Sequence, residues 1–161
     1  ASSFSTQAKL DSAVTATLDR LYRVAPGSRE MVQQAAGVLV FPEVIGGALI
    51  VGAEHGRGAL RVCGRTAGYY STTGASVGWQ VGGQSKAVVY VVSTREALQK
   101  FQASKGWTAG ADATVAIGKV STNGSVDSET VRQPGVSFVM NNVGLEVGVS
   151  LTGAKISPIT P

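Results

Sequence analysis

"GGALIVGAEHGRGALRV", residues 46–62, decides the architecture. Its glycines sit inside apolar alternation rather than in a polar linker, where each one gives up side-chain packing. That placement points to β structure with bulges, tight bends and close backbone approaches in a twisted sheet.

Working outward, the same texture recurs. "GVLVFP" (37–42), "ALRVCGRT" (59–66), "GYYSTTGASVGWQVGGQ" (68–84) and "KAVVYVVS" (86–93) are β-branched, aromatic or alternating runs divided by glycine turns. They predict an antiparallel meander, with "EHGRG" (54–58) as a turn and His55 on it. "DATVAIGKV" (112–120), "GVSFVMNN" (135–142) and "GLEVGVSLTGAKI" (144–156) continue the strand pattern, and the polar stretch 121–135 predicts an exposed loop.

Helical periodicity appears at two places. From Phe4 to Ala25, Leu10, Val14, Leu18 and Leu21 recur at three- and four-residue spacing, and Pro26 and Gly27 end the run. Ser28 is the expected cap of a second short helix reaching Ala36. Later, Ser93 and Glu96 spell a capping box ahead of an apolar face made by Leu98 and Phe101, with Lys100 and Lys105 near the C-terminal end.

These elements predict one α+β domain: a strongly twisted antiparallel sheet curling toward a barrel, with N-terminal helices and one helix inserted between strands. Residues 1–34 form a tether and amphipathic helices, and residues 35–161 a β-rich body. Phe41, Trp79, Val89, Val91, Leu98 and Phe101 are the expected core, and Trp107 is either core or an interfacial anchor.

Composition narrows the function classes. The 161 residues are 43% hydrophobic and only 15% charged, which suits a folded domain rather than a disordered chain. One cysteine, Cys63, excludes an internal disulfide and a thiolate-rich zinc site. The longest apolar run, Ala87 to Val92, is too short to span a bilayer. A net charge of +4 favours an anionic partner, a membrane surface or a nucleic acid. The opening "ASSFSTQ" reads as a polar tether left after removal of a leader.

Residues 74–78, "GASVG", match the G-x-S-x-G pattern of a hydrolase nucleophile elbow, which needs a strand, a sharp turn and then a helix, with the histidine later in the chain. Ser76 is followed by strand-like "VGWQVGGQ", and the single histidine, His55, precedes it. Ser76 is therefore read as structural. His55, Glu54 and Cys63 do not supply the converging ligands of a metal site, and no phosphate-binding glycine signature is present. No catalytic residue, metal or cofactor is expected.

The cations are the better candidates. Arg57, Arg61 and Arg65 share parity, so one unbroken strand would set all three on one face to grip phosphates, with Lys86 on a later strand nearby. Such a row is equally consistent with a solvated outer face. The N-terminal helix carries Arg20 and Arg23 beside its leucine stripe, which lies in a membrane interface or, more commonly, on the protein's own sheet.

The stretches 35–62, 78–94, 110–120 and 143–156 resemble, in order, the successive motifs of the SYLF domain of yeast and animal actin-patch proteins and many bacterial proteins. The resemblance spans Ala35 to Ile156. It implies non-enzymatic binding of anionic, phosphoinositide-like phospholipid through basic surfaces and an amphipathic N-terminal segment, which adds Lys9 to Arg20 and Arg23 by position. It also implies the compact bacterial branch, commonly lipoproteins of the cell envelope, which gives little ground for actin binding. The expected partners are anionic phospholipids or a membrane surface, with no nucleic acid. A structural or protein-interaction lipoprotein of the envelope is the alternative, and a hydrolase using Ser76 a distant third.

Overall fold

The computed structural model describes residues 3–46, 53–75, 85–118, 120, 126, 130, 133–141, 144–146, 151 and 153–160. The chain opens with α1 (Ser3–Val24) and α2 (Gly27–Gln34), followed by β1 (Gly37–Gly46), β2 (Ala53–Val62), β3 (Arg65–Ala75) and β4 (Ser85–Val92). Then come α3 (Arg95–Ala103), β5 (Trp107–Thr108), β6 (Ala116–Ile117), β7 (Gly135–Met140), β8 (Leu145–Glu146) and β9 (Lys155–Ile159). The fold is α+β, with helices at the N-terminus and one between strands, as the periodicities predict.

The strands form one sheet in the order β5-β9-β3-β2-β1-β4-β7-β6, with β8 beside β7. Its pairings are antiparallel except β6 with β7, which is parallel, so the sheet is mixed rather than wholly antiparallel. It also curls. Five strand steps separate β5 from β4, roughly 24 Å in a flat sheet, yet the Trp107 and Tyr90 ring centroids lie 6.5 Å apart. The edge has folded back over the concave face, giving a half-barrel.

Alternation along the strands builds a core on each side. Val38 and Val40 of β1, Val89 and Val91 of β4, and Phe138 of β7 meet Val14, Leu18 and Leu21 of α1 on the convex face. Leu39, Phe41, Leu60, Tyr70, Val88 and Tyr90 fill the concave face with Leu98 and Phe101 of α3. Trp107 is half-buried there, edge-on to Phe101 at 5.4 Å. Trp79 and Ser76 lie outside the described residues, as does most of the stretch 121–135.

Central strand β1 contains Pro42, which cannot donate to a sheet ladder. The register slips there against both neighbours, between Val40 and Glu43 on one side and Phe41 and Val44 on the other. This bulge explains two glycines of the opening stretch. A Cβ on Gly56 would sit 2.6 Å from the Glu43 carbonyl oxygen, and one on Gly58 would strike the Val40 carbonyl and the Phe41 ring.

Three local expectations are corrected. Residues 54–58 are not a turn but mid-strand, with His55 opposite Ile45 and Thr73. The turn is Cys63–Gly64, both left-handed at φ 54° and 78°, which joins β2 to β3 as a two-residue hairpin. Ser93 does not cap α3. Thr94 does, its Oγ1 accepting from the Ala97 N–H at 3.1 Å, while the Ser93 hydroxyl donates to the Gln133 carbonyl. Ser28 does not cap α2 either. It is buried, and its hydroxyl donates to the Ala25 carbonyl at 2.6 Å, stitching α2 to the end of α1.

Candidate functional site

Parity along β2 works as expected, because Arg57, Ala59 and Arg61 share one face and Leu60 and Val62 the other. The arginine face, however, is the convex one that α1 crosses. Arg61 is consequently half-buried, its Nη2 donating to the Asp11 carbonyl at 2.8 Å and to Thr15 Oγ1 at 2.7 Å. The Asp11 carboxylate in turn accepts from Thr66 Oγ1 at 3.0 Å and from the Tyr69 hydroxyl at 3.0 and 3.2 Å. Arg61 is thus a clasp between helix and sheet rather than a surface cation.

Loss of solvent, reinforced by the Asp11 hydrogen bond and charge, pushes the Tyr69 phenol above its ordinary value of 10.0, with Arg61 opposing. Tyr22 on α1 is also raised, by burial first, although Arg29 stacked 4.8 Å over its ring acts the other way.

The other predicted cations separate. Arg65 is exposed but opens β3 beyond the hairpin, so it does not continue the row of Arg57 and Arg61 on one strand. Lys86 was expected near that row on the surface. Its side chain is only 1% exposed, on the face it shares with Val88 and Tyr90, and its Nζ lies 3.0 and 2.9 Å from the two Glu146 carboxylate oxygens. Burying a lysine without a partner carries a heavy desolvation penalty, and Glu146 answers it.

Two predicted residues do meet. Lys9 and Arg57 are both exposed and line one shallow groove of about 300 Å³ with Leu10, Ala13, Pro42 and Glu43. The bulge at Pro42 and the first turns of α1 shape it. Arg20 and Arg23 lie eleven and fourteen residues beyond Lys9, which at 3.6 residues per turn sets all three within about 60° around α1. They form a stripe roughly opposite the buried Val14–Leu18–Leu21 face. Arg23 is exposed and Arg20 half-buried.

A family model for the Las17-binding protein actin regulator Ysc84 matches residues 73–160. The chain belongs to the Ysc84 family of SYLF-domain proteins. The SYLF match covers the strands from the end of β3 onward together with α3, and three of the four stretches that carry the resemblance in the sequence. It begins after α1, α2, β1 and β2, so of the candidate cations only Lys86 falls within it. Among solved structures, the chain is similar to a beta-barrel-like, uncharacterized protein from Brucella abortus, at 14% identity over 94% of each chain with a TM-score of 0.41. No curated protein matches the chain.

Among the described residues of this SYLF chain, no three His, Cys, Asp or Glu side chains gather as metal ligands. No described helix is long and apolar enough to cross a membrane. Sequence reasoning missed the Asp11–Arg61–Tyr69 network and the Lys86–Glu146 pair. Both join partners at least 50 residues apart, and no local spacing signals them.

Proposed function

We propose that this SYLF-domain protein is a non-enzymatic module that binds anionic phospholipid at a membrane surface through the outer edge of α1 and the adjoining middle of β2. The observation that carries this reading is the meeting of Lys9 and Arg57 in one groove, continued along α1 by Arg20 and Arg23. Cations held at a surface of anionic lipid contribute about 1 kcal/mol each at moderate ionic strength. The apolar face of α1 stays on its own sheet, so attraction is by charge rather than by helix insertion. We place the protein at a bacterial cell envelope as part of the same reading, testable by membrane fractionation.

Vesicle co-sedimentation with and without anionic lipid, at low and high salt, tests it. Binding should require anionic lipid and weaken as salt rises. The double variant Lys9→Glu, Arg57→Glu should lose at least about 2 kcal/mol, roughly a 30-fold drop in affinity. Unchanged sedimentation of the folded double variant would sink the proposal.

A second reading, a protein-interaction module, draws on the family's description as Las17-binding. A defined protein retained in a pull-down, while vesicles with anionic lipid fail to bind, would favour it.

A further inference from the structure

On the concave side of the sheet, away from the α1 groove, α3 roofs a cavity of about 280 Å³. Leu39 and Tyr90 contribute its floor, and Phe101, Trp107 and Val115 its walls. An apolar cavity of about 150 Å³ is large enough to bind benzene, so this one has room for a group of roughly twice that bulk. Small-molecule sites share this build, with mostly apolar and aromatic linings and a few polar groups at the entrance.

The polar groups around the mouth are engaged within the protein. The Thr94 hydroxyl accepts from the Ala97 N–H, Asp112 Oδ2 accepts from the Thr108 N–H at 2.6 Å, and Glu96 stands 3.8 Å from Lys100. Lys100 offsets Glu96, and the remaining charge, the Asp112 carboxylate held by the Thr108 N–H, disfavours an anionic head at the mouth. Recognition then rests chiefly on the hydrocarbon.

We propose that this cavity binds the alkyl chain of a free, single-tailed amphiphile, with an uncharged head left at the mouth beside Thr94 and Asp112. The site is independent of the cationic surface proposed for α1 and goes beyond that reading, because it lies on the opposite face of the sheet.

Titration of the full chain with 1-octanol, followed by backbone amide NMR, tests it. Saturable shifts should concentrate in α3, in β4 and in residues 112–115, and the Lys9→Glu, Arg57→Glu variant should retain them. Ala97→Phe, which fills the space from the helix side, should weaken binding at least tenfold. If Ala97→Phe does not fold, Val115→Phe repeats the block from the opposite wall. Failure to saturate, shifts concentrated on α1 and β2, or undiminished affinity in a folded blocking variant would each overturn the proposal.

Discussion

Arg61 of β2 reaches Thr15 of α1, Nη2 to Oγ1 at 2.7 Å, and the same nitrogen donates to the Asp11 carbonyl. Charged hydrogen bonds of this kind contribute about 1.5–3 kcal/mol each when water is partly excluded. Exposure of Thr15 puts this pair toward the low end. Arg61→Ala should therefore lower stability by about 3 kcal/mol in urea denaturation. Lipid affinity of the remaining folded protein should fall less than for Arg57→Ala, whose side chain is exposed in the groove. Equal losses of affinity would assign Arg61 to the binding surface instead.

Lys86 and Glu146 make the opposite kind of pair, a lysine almost fully enclosed against a carboxylate 25% exposed. Removing one member of a buried pair strands the other, which typically costs about 3–5 kcal/mol, and the exposure of Glu146 lowers this toward about 2–3. Lys86→Met should show that loss in chemical denaturation. Adding Glu146→Leu should restore at least half of it, because no carboxylate is then left without its counter-charge. An additive double variant would show that the pair does not interact energetically.

Gly58 faces the bulge of β1, where a methyl group would collide with the Val40 carbonyl and the Phe41 ring. Overpacking a closed contact costs about 1–3 kcal/mol. Gly58→Ala should lower the melting temperature by about 4–8 °C, taking about 2 kcal/mol at 2–4 °C per kcal/mol. Gly64→Ala, by contrast, meets nothing within 4 Å and is strained only by its φ of 78°. It should cost less than Gly58→Ala, a ranking that thermal melts of the two variants would check.

Tyr22, Tyr69 and Tyr70 all have phenols raised above 10.0, chiefly by burial. A raised folded-state value means that the native protein holds the phenol proton more tightly than the unfolded chain does. The associated stability is fully present below pH 10 and is lost as pH rises through the folded values. Denaturation midpoints should be flat in this respect up to about pH 10 and fall above it. Tyr70→Phe, which removes a phenol raised by burial, should make that fall shallower. An unaltered slope would exclude Tyr70 from the effect.

Much of this was legible in the residues themselves. The leucine and valine spacing of α1 selects the face it buries, since 3.6-residue periodicity acts within one element. Alternation in "GVLVFP" and "KAVVYVVS" separates the two cores for the same reason, and glycines embedded among apolar residues announced close backbone approaches. The turn was misplaced because "EHGRG" and "CGR" are both glycine-bearing polar interruptions. Sheet register chose between them, by seating His55 opposite Ile45 and Thr73.

Where each cation sits, and what it pairs with, was decided only by tertiary structure. Parity along β2 sorts Arg57 and Arg61 to one side, but it carries no information about what lies over that side. Once α1 docks there, Arg61 falls beneath the helix and becomes a clasp, while Arg57 emerges past its first turns beside Lys9. Lys86 likewise reads as a surface charge until the chain returns 60 residues later with Glu146. Local pattern determines which way a side chain points, because neighbouring backbone sets its direction; desolvation and ion pairing depend on segments remote in sequence, which only the folded chain brings together.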